Sequence, residues 1–163
     1  MGVGVTSMSL KFGLFGAEVA ICHGDILEVA RGSVVSPANG YGFMDGGIDL
    51  HYLRFFGADL EQRVQAAIGR RPEGHLPVGA SLTVATNHPR IPWLIVAPTM
   101  LFPEAVPKSH AYRALRAALR LAQSDPERHG EVYCPGLGTG VGAIPPELAA
   151  AEMAEAYGDW RAK

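Results

Sequence analysis

The sequence predicts an α/β fold with three layers, in which a central mixed β-sheet lies between two layers of helices. Short apolar or β-branched segments alternate along the chain with segments whose apolar residues recur at helical spacing. Glycine-rich loops follow two of the strand-like segments and lead into helices, as in layered α/β proteins. With 163 residues and 48% hydrophobic content, the chain can bury one core of ordinary size. We therefore expect residues 1–163 to form a single domain.

The chain begins with two predicted strands and a short helical turn. Residues 9–15 and 18–21 alternate or run apolar between glycines, which predicts a hairpin with a tight turn at Gly16. A helical turn is predicted over 26–30. The β-branched segment 33–36 is typical of a buried parallel strand, and such a strand would direct the following residues towards its C-terminal edge.

Two helices in succession are predicted after this strand. Ile48, Tyr52 and Phe55 recur at helical spacing, and the pattern resumes over 60–68 after Gly57. We expect Tyr52 and Phe55 to face the core.

The second half of the chain repeats the alternation of strands and helices. The segment 98–108 holds three prolines and is predicted to be irregular, and Ser109 is a candidate cap for the helix that follows. The predicted elements are strands at 80–86, 93–97 and 132–134, a helix from 109 to about 123, and a last helix after Pro145 and Pro146.

Composition excludes several classes of function. Fourteen Lys and Arg residues against sixteen Asp and Glu give a formal charge of −2, so no nucleic-acid partner is expected. No apolar segment reaches the roughly 20 residues that span a bilayer, so no membrane partner is expected. Cys22 and Cys134 lack paired spacing, which favours a reduced, cytoplasmic setting. The six histidines lack metal-ligand spacing, so we expect no metal site and no cofactor.

Two glycine-rich loops are the first candidate binding elements. One contains Gly46 and Gly47, and the other spans 136–142; both follow strands and lead into helices. Exposed backbone N–H groups and helix N-termini bind phosphate oxygens, and two such loops together suit a diphosphate. The alternative is that the glycines only permit tight strand-to-helix turns.

Polar side chains near these loops have both structural and chemical interpretations. Asp25 can cap the helical turn that follows it or accept a hydrogen bond from an exocyclic amine. Asn39 can close an Asx-turn or bind ribose hydroxyls. Asp45 is predicted to cap the next helix, whereas Asp49 lies one turn further on, where a carboxylate can position or activate water beside a ribose.

Aromatic side chains of the first glycine-rich loop could enclose a nucleoside. Tyr41 and Phe43 flank the turn, and Asp45 follows them, so these three residues are candidates for an aromatic or polar wall.

Four motifs in order resemble the macrodomain family, whose members bind ADP-ribose and often hydrolyse its derivatives. The resemblance extends from about Val19 to the final helix. The motifs are Gly24-Asp25-Ile26, Ser36-Pro37-Ala38-Asn39, Gly46-Gly47-Ile48-Asp49 and Gly138-Thr139-Gly140-Val141.

The resemblance implies a role for each motif. Asp25, with Ile26, would receive the adenine amino group, and Asn39 would lie near the distal ribose. Asp49 matches the aspartate that active hydrolases of the family use at that ribose. The residues implied in phosphate and ribose binding are Gly46, Gly47, Ile48, Gly138, Thr139, Gly140, Val141 and Gly142.

The sequence also departs from the family pattern. Ser36 replaces the first asparagine of its motif, and Asp45 stands where the family commonly has glycine. Leu53 occupies the position at which one hydrolase subclass carries histidine, with His51 on another helical face. Gly142 stands where an aromatic residue often borders the ribose.

The leading functional prediction is an ADP-ribosyl hydrolase that removes ADP-ribose from a protein side chain or small acceptor. Its candidate catalytic residues are Asn39, which orients the ribose, and Asp49, which positions or activates water. The alternatives are a non-catalytic ADP-ribose reader, a phosphatase for ADP-ribose phosphate, or a deacetylase for acetylated ADP-ribose. In each case the partner is ADP-ribose or an ADP-ribosylated substrate.

Overall fold

A computed structural model describes residues 5–13 and 16–162 of the chain. Within these ranges strands and helices alternate, as the sequence predicts. In chain order the elements are β1 (Val5–Gly13), β2 (Gly16–Gly24), α1 (Ile26–Val29), β3 (Ser33–Ser36), α2 (Gly47–Phe56), α3 (Asp59–Gly69), β4 (Leu82–Ala85), β5 (Trp93–Val96), α4 (Ser109–Ser124), β6 (Glu131–Cys134) and α5 (Pro146–Arg161).

The strands form one mixed sheet with the order β2-β1-β6-β3-β5-β4. The central strands β6, β3 and β5 are parallel, while β1, β2 and β4 each run antiparallel to a neighbour. Ser33 pairs with Trp93 and Ser36 with Val96, so β3 and β5 end at the same edge of the sheet. The predicted mixed sheet is confirmed.

The predicted N-terminal hairpin has different limits in the structure. β1 and β2 pair over their full lengths, and Gly13 pairs with Gly16. Gly16, predicted to form the turn, is therefore the first residue of a strand. Residues 14–15, which the sequence placed in the first strand, lie outside the described residues.

Helices cover both faces of the sheet because neighbouring strand residues point to opposite sides. Val34 packs with α1, α2 and α3 on one face, and Val35 packs with α4 and α5 on the other. The three-layer α/β/α architecture is thus confirmed. Among the described residues, no helix has the length and apolar content needed to cross a bilayer.

Two local predictions on the helices are wrong. Ser109 is the first residue of α4 rather than its cap, since Lys108 takes that position without a side-chain hydrogen bond. Phe55 is 40% exposed, whereas Phe56 packs against the core. Phe56 follows Tyr52 by four residues and so extends the buried face of α2, while Phe55 points to its edge.

A buried hydrogen bond fixes α2 against β3. Tyr52 is completely buried, and its hydroxyl donates to the Val35 carbonyl oxygen at 2.9 Å. This bond holds the helix at the C-terminal edge of the parallel strands.

We expect Tyr52→Phe to lower the free energy of unfolding by about 1 kcal/mol, because the buried Val35 carbonyl oxygen loses the hydrogen bond from the Tyr52 hydroxyl. Urea unfolding measures the change. Tyr41→Phe is the matched control, since the Tyr41 hydroxyl makes no hydrogen bond within the described residues; its effect should stay within about 0.5 kcal/mol. Equal losses in the two variants would contradict the assignment.

Candidate functional site

A cavity of about 480 Å³ lies beyond the C-terminal ends of β3, β5 and β6. Open α/β sheets place their ligand sites at this edge. The structure brings most of the predicted site residues together here. Those that line the cavity are Asn39, Phe43, Asp45, Gly46, Gly47, Ile48, Asp49, Gly138, Thr139, Gly140, Val141 and Gly142.

The two glycine-rich loops meet across this cavity. A Cβ built on Gly46 would lie 3.3 Å from Val141 Cγ2, and one built on Gly140 would lie 3.8 Å from the Gly47 Cα. The two loops therefore come into close approach at these glycines, where a side chain on Gly46 would crowd Val141.

Backbone N–H groups in both loops lack partners. Within the described residues, the N–H groups of Gly47, Ile48 and Asp49, in the first turn of α2, donate no hydrogen bond. The same holds for the five N–H groups of 138–142. A helix N-terminus and a glycine turn with free donors form a site for an anion.

Backbone conformation requires glycine at particular positions in these loops. Gly47 has φ +58° and Gly138 has φ +75°, both in the left-handed region that glycine adopts without strain. A Cβ on Gly138 would also lie 2.5 Å from Ile144 Cδ1, and one on Gly142 would lie 2.8 Å from the Gly138 carbonyl oxygen.

Asn39 organises the loop that precedes α2. Its Oδ1 accepts hydrogen bonds from the N–H groups of Tyr41 and Phe43, both at 3.1 Å, and its Nδ2 donates to the Phe43 carbonyl oxygen at 2.8 Å. Glu61 supports the same loop by accepting from the Met44 N–H at 2.8 Å. Asn39 thus closes an Asx-turn, and one Nδ2 hydrogen remains for a ligand.

Asp49 is a buried carboxyl at the cavity wall, with 6% of its surface exposed. The Ser36 hydroxyl donates to its Oδ1 at 2.5 Å, and its Oδ2 has no hydrogen-bond partner within the described residues. Burial raises the pKa of the Asp49 carboxyl to about 7, and the hydrogen bond from Ser36 opposes this shift. The group therefore changes protonation state near neutral pH.

Asp45 differs from Asp49 in its surroundings. It is exposed, and the predicted capping role is wrong, because Gly46 takes the N-cap position of α2 in an extended conformation without a side-chain hydrogen bond. Among the described residues, no three His, Cys, Asp or Glu side chains lie close enough together to hold a metal ion.

Three predicted residues lie outside the cavity lining. Asp25 caps α1, where its Oδ1 accepts from the Leu27 N–H at 2.9 Å, and Ile26 is completely buried in the core. Tyr41 stacks on Phe102, with ring centroids 5.3 Å apart. Of the predicted aromatic or polar wall, Phe43, which is half-exposed, and Asp45 line the cavity, and Tyr41 does not.

Sequence reasoning missed the contribution of Ser36 and His51. Ser36 was noted only as a departure from a motif, although a hydroxyl at the end of a buried strand needs a hydrogen-bond partner, and that requirement was a usable signal. His51 lines the cavity, while Leu53, one turn after Asp49, packs against the core.

The chain matches the family model described as Macro domain over residues 35–153. A relative from Aquifex aeolicus (strain VF5), called an uncharacterized protein, is 37% identical over 140 residues, which cover 85% of this chain and 79% of the relative.

Solved structures share the fold at lower sequence identity. The Oceanobacillus iheyensis macrodomain with MES bound is similar with a TM-score of 0.71 and 19% identity, over 93% of this chain and 80% of that one. A mutant of the same macrodomain with ADPR is similar with a TM-score of 0.65 and 18% identity, over 78% of this chain and 69% of that one. The macrodomain of Mycobacterium tuberculosis DarG is similar with a TM-score of 0.68 and 20% identity, over 83% of this chain and 87% of that one. The chain belongs to the Macro domain family.

Proposed function

We propose that this protein binds ADP-ribose in the cavity between its glycine-rich loops and hydrolyses ADP-ribosyl derivatives. The observation that carries the proposal is the set of free backbone N–H groups in the first turn of α2 and in 138–142. A diphosphate offers acceptors to both sets at once, and a structural neighbour holds ADPR.

The distal ribose is assigned to the side of the cavity formed by Asn39 and Asp49. Because both lone pairs of Asn39 Oδ1 are already used, Asn39 can only donate, through its remaining Nδ2 hydrogen, to a ribose hydroxyl oxygen. Its rigid attachment to the loop limits the orientation that the ribose can take.

Asp49 is the proposed general base. Its free Oδ2 can accept a proton from a water molecule that attacks the anomeric carbon, and its raised pKa makes it a suitable proton acceptor near neutral pH. Positive charge develops on the sugar as the bond to the acceptor breaks, and the Asp49 carboxylate and the ligand diphosphate both stabilise that charge. Ser36 acts as a positioning residue, since it fixes Oδ1.

The adenine end is assigned to the start of α1. One oxygen of Asp25 caps the helix, which leaves the other available to accept a hydrogen bond from the adenine amino group. Ile26 would contribute its backbone rather than its buried side chain.

A non-catalytic reader is the second candidate. Leu53 is partly buried and packs against the core, so α2 provides no imidazole one turn after Asp49, and the diphosphate loops alone are sufficient for binding. An esterase or phosphatase acting on a related nucleotide would use the same cavity.

Incubation with mono-ADP-ribosylated protein, together with calorimetry of free ADP-ribose, tests the proposal. We expect the wild type to bind ADP-ribose and to release it from the substrate. Asp49→Ala should reduce release about 100-fold or more, because the general base is lost, while ADP-ribose binding persists.

Asp45→Ala is the matched control, because it removes a second carboxylate from the same cavity, and its turnover should stay within about threefold of the wild type. Binding without turnover in the wild type would identify a reader. Absence of both binding and turnover would refute ADP-ribose as the ligand.

The pH profile tests the link between Ser36 and Asp49. Since the base form of Asp49 is required, activity of the wild type should rise with pH through an apparent pKa near 7. Ser36→Ala removes the donor that lowers this pKa, so the midpoint should move upward by about one unit. Ser36→Thr retains a hydroxyl and should retain the profile. A carbon-13 NMR titration of the Asp49 carboxyl measures the same shift without turnover, and an unchanged midpoint would remove Ser36 from the scheme.

Gly47→Val should weaken ADP-ribose binding about tenfold or more, because a branched side chain hinders the approach of phosphate to the first turn of α2. Gly74→Val is the matched control: Gly74 also has positive φ and open surroundings, but it lies outside the cavity lining. Calorimetry should give the control an affinity within about twofold of the wild type. If both variants bind equally well, the diphosphate lies elsewhere.

A further inference from the structure

Three arginines of α4 line a second cavity, of about 250 Å³, which shares no residue with the cavity between the glycine-rich loops. Arg113, Arg116 and Arg120 are spaced three and four residues apart and so lie along one face of the helix. Gly79 and Tyr112 complete the lining. We call this cavity the arginine pocket.

Backbone carbonyl groups hold two of these side chains in place. Arg113 Nη2 donates to the Val78 carbonyl oxygen at 2.7 Å, and Arg120 Nη2 donates to the Gly79 carbonyl oxygen at 3.0 Å. Gly79 has φ +101°, and a Cβ there would lie 3.4 Å from Arg113 Nη2. The loop before β4 therefore orders both guanidinium groups while most of their N–H groups remain free.

The guanidinium of Arg116 is less well hydrogen-bonded than those of Arg113 and Arg120. Its Nη1 donates to the Tyr112 hydroxyl at 3.4 Å, and its buried Nε has no acceptor. Burial of a cationic nitrogen without an acceptor costs free energy, which an anion beside the guanidinium would offset.

The positive charge of the arginine pocket is not balanced by a direct ion pair. Among the described residues, none of the three arginines forms a salt bridge. The one carboxylate connected to the group, Asp159, accepts from the Tyr112 hydroxyl at 2.6 Å and reaches Arg116 only through that hydroxyl. Three like charges close together repel one another, and a multivalent anion would relieve this repulsion.

We propose that the arginine pocket binds the phosphoryl group of a phosphorylated ligand. Guanidinium groups donate pairs of parallel N–H bonds that match the oxygens of phosphate, and a doubly charged phosphoryl group can engage more than one guanidinium. A long polyanion is disfavoured, since the formal charge of the whole chain is −2 and the cationic surface is confined to one pocket.

Calorimetry with inorganic pyrophosphate at fixed ionic strength tests this site, with saturating ADP-ribose present to occupy the cavity between the glycine-rich loops. The test variant combines Arg113→Gln, Arg116→Gln and Arg120→Gln. The matched control combines Arg31→Gln, Arg54→Gln and Arg70→Gln, which removes the same charge from exposed arginines elsewhere. We expect the test variant to bind about tenfold or more weakly and the control to stay within about twofold of the wild type.

The single variant Arg116→Gln tests the site with less risk of misfolding, because within the described residues the Arg116 guanidinium contacts only Tyr112, through a 3.4 Å hydrogen bond to its hydroxyl and a position 5.9 Å above its ring. It should weaken pyrophosphate binding about threefold or more, with an unchanged circular dichroism spectrum. Two outcomes would overturn the proposal: no binding of pyrophosphate by the wild type up to about 10 mM in the presence of ADP-ribose, or equal losses in the test and control variants.

A phosphoserine peptide and its unphosphorylated form distinguish two sources of the phosphoryl group. Binding of the phosphopeptide that is tighter than binding of pyrophosphate, and is lost in the test variant, would assign the pocket to a modified protein. If pyrophosphate binds more tightly than the phosphopeptide, and its binding is also lost in the test variant, the pocket would be assigned to a free phosphate compound.

Discussion

The position of α2 against the end of β3 depends on two buried hydrogen bonds, from Tyr52 to the Val35 carbonyl oxygen and from Ser36 to Asp49. The free N–H groups of the helix N-terminus and the Asp49 carboxyl are carried by the same helix, so these two bonds set their positions together. Preorganised donors bind an anion without a reorganisation cost at the moment of binding. The rigid pairing of strand and helix is therefore a condition for the geometry of the whole cavity.

Burial of the Asp49 carboxyl in this cavity wall reduces the stability of the fold. Burial raises the pKa of Asp49 to about 7, so between its ordinary value of 3.8 and about 7 the folded chain holds a proton that the unfolded chain has released. Across that pH window the contribution of Asp49 to stability decreases as pH rises. A single hydrogen bond from Ser36 compensates only part of the cost of ionising Asp49. A buried carboxyl kept at this cost in a cavity wall is typical of a functional residue rather than a structural one.

The fold was predictable because its signals are local. Periodicity in 33–36 and around Ile48 identified a strand and a helix, and glycines marked the loops that the structure brings together. The sequence could not predict features for which neighbouring residues carry equal local signals, or which form only when two elements pack together. Phe55 and Phe56 are equally apolar and follow Tyr52 by three and four residues, so helical spacing suits both, but packing leaves Phe56 partly buried and Phe55 exposed. The bond between Ser36 and Asp49 joins residues thirteen positions apart and exists only after β3 and α2 pack.

Ligand binding and reaction depend on different parts of the chain. The backbone N–H groups of the two loops require glycine and a fixed conformation, so they are insensitive to side-chain replacements such as Leu53, one turn after Asp49 on α2. Water activation depends on a few side chains, and its efficiency changes with each of them. The exposed Asp45 illustrates the separation: solvent and salt screen its charge, so it weakens an anion site less than a buried carboxylate would. A family member can therefore keep its ligand while its reaction changes.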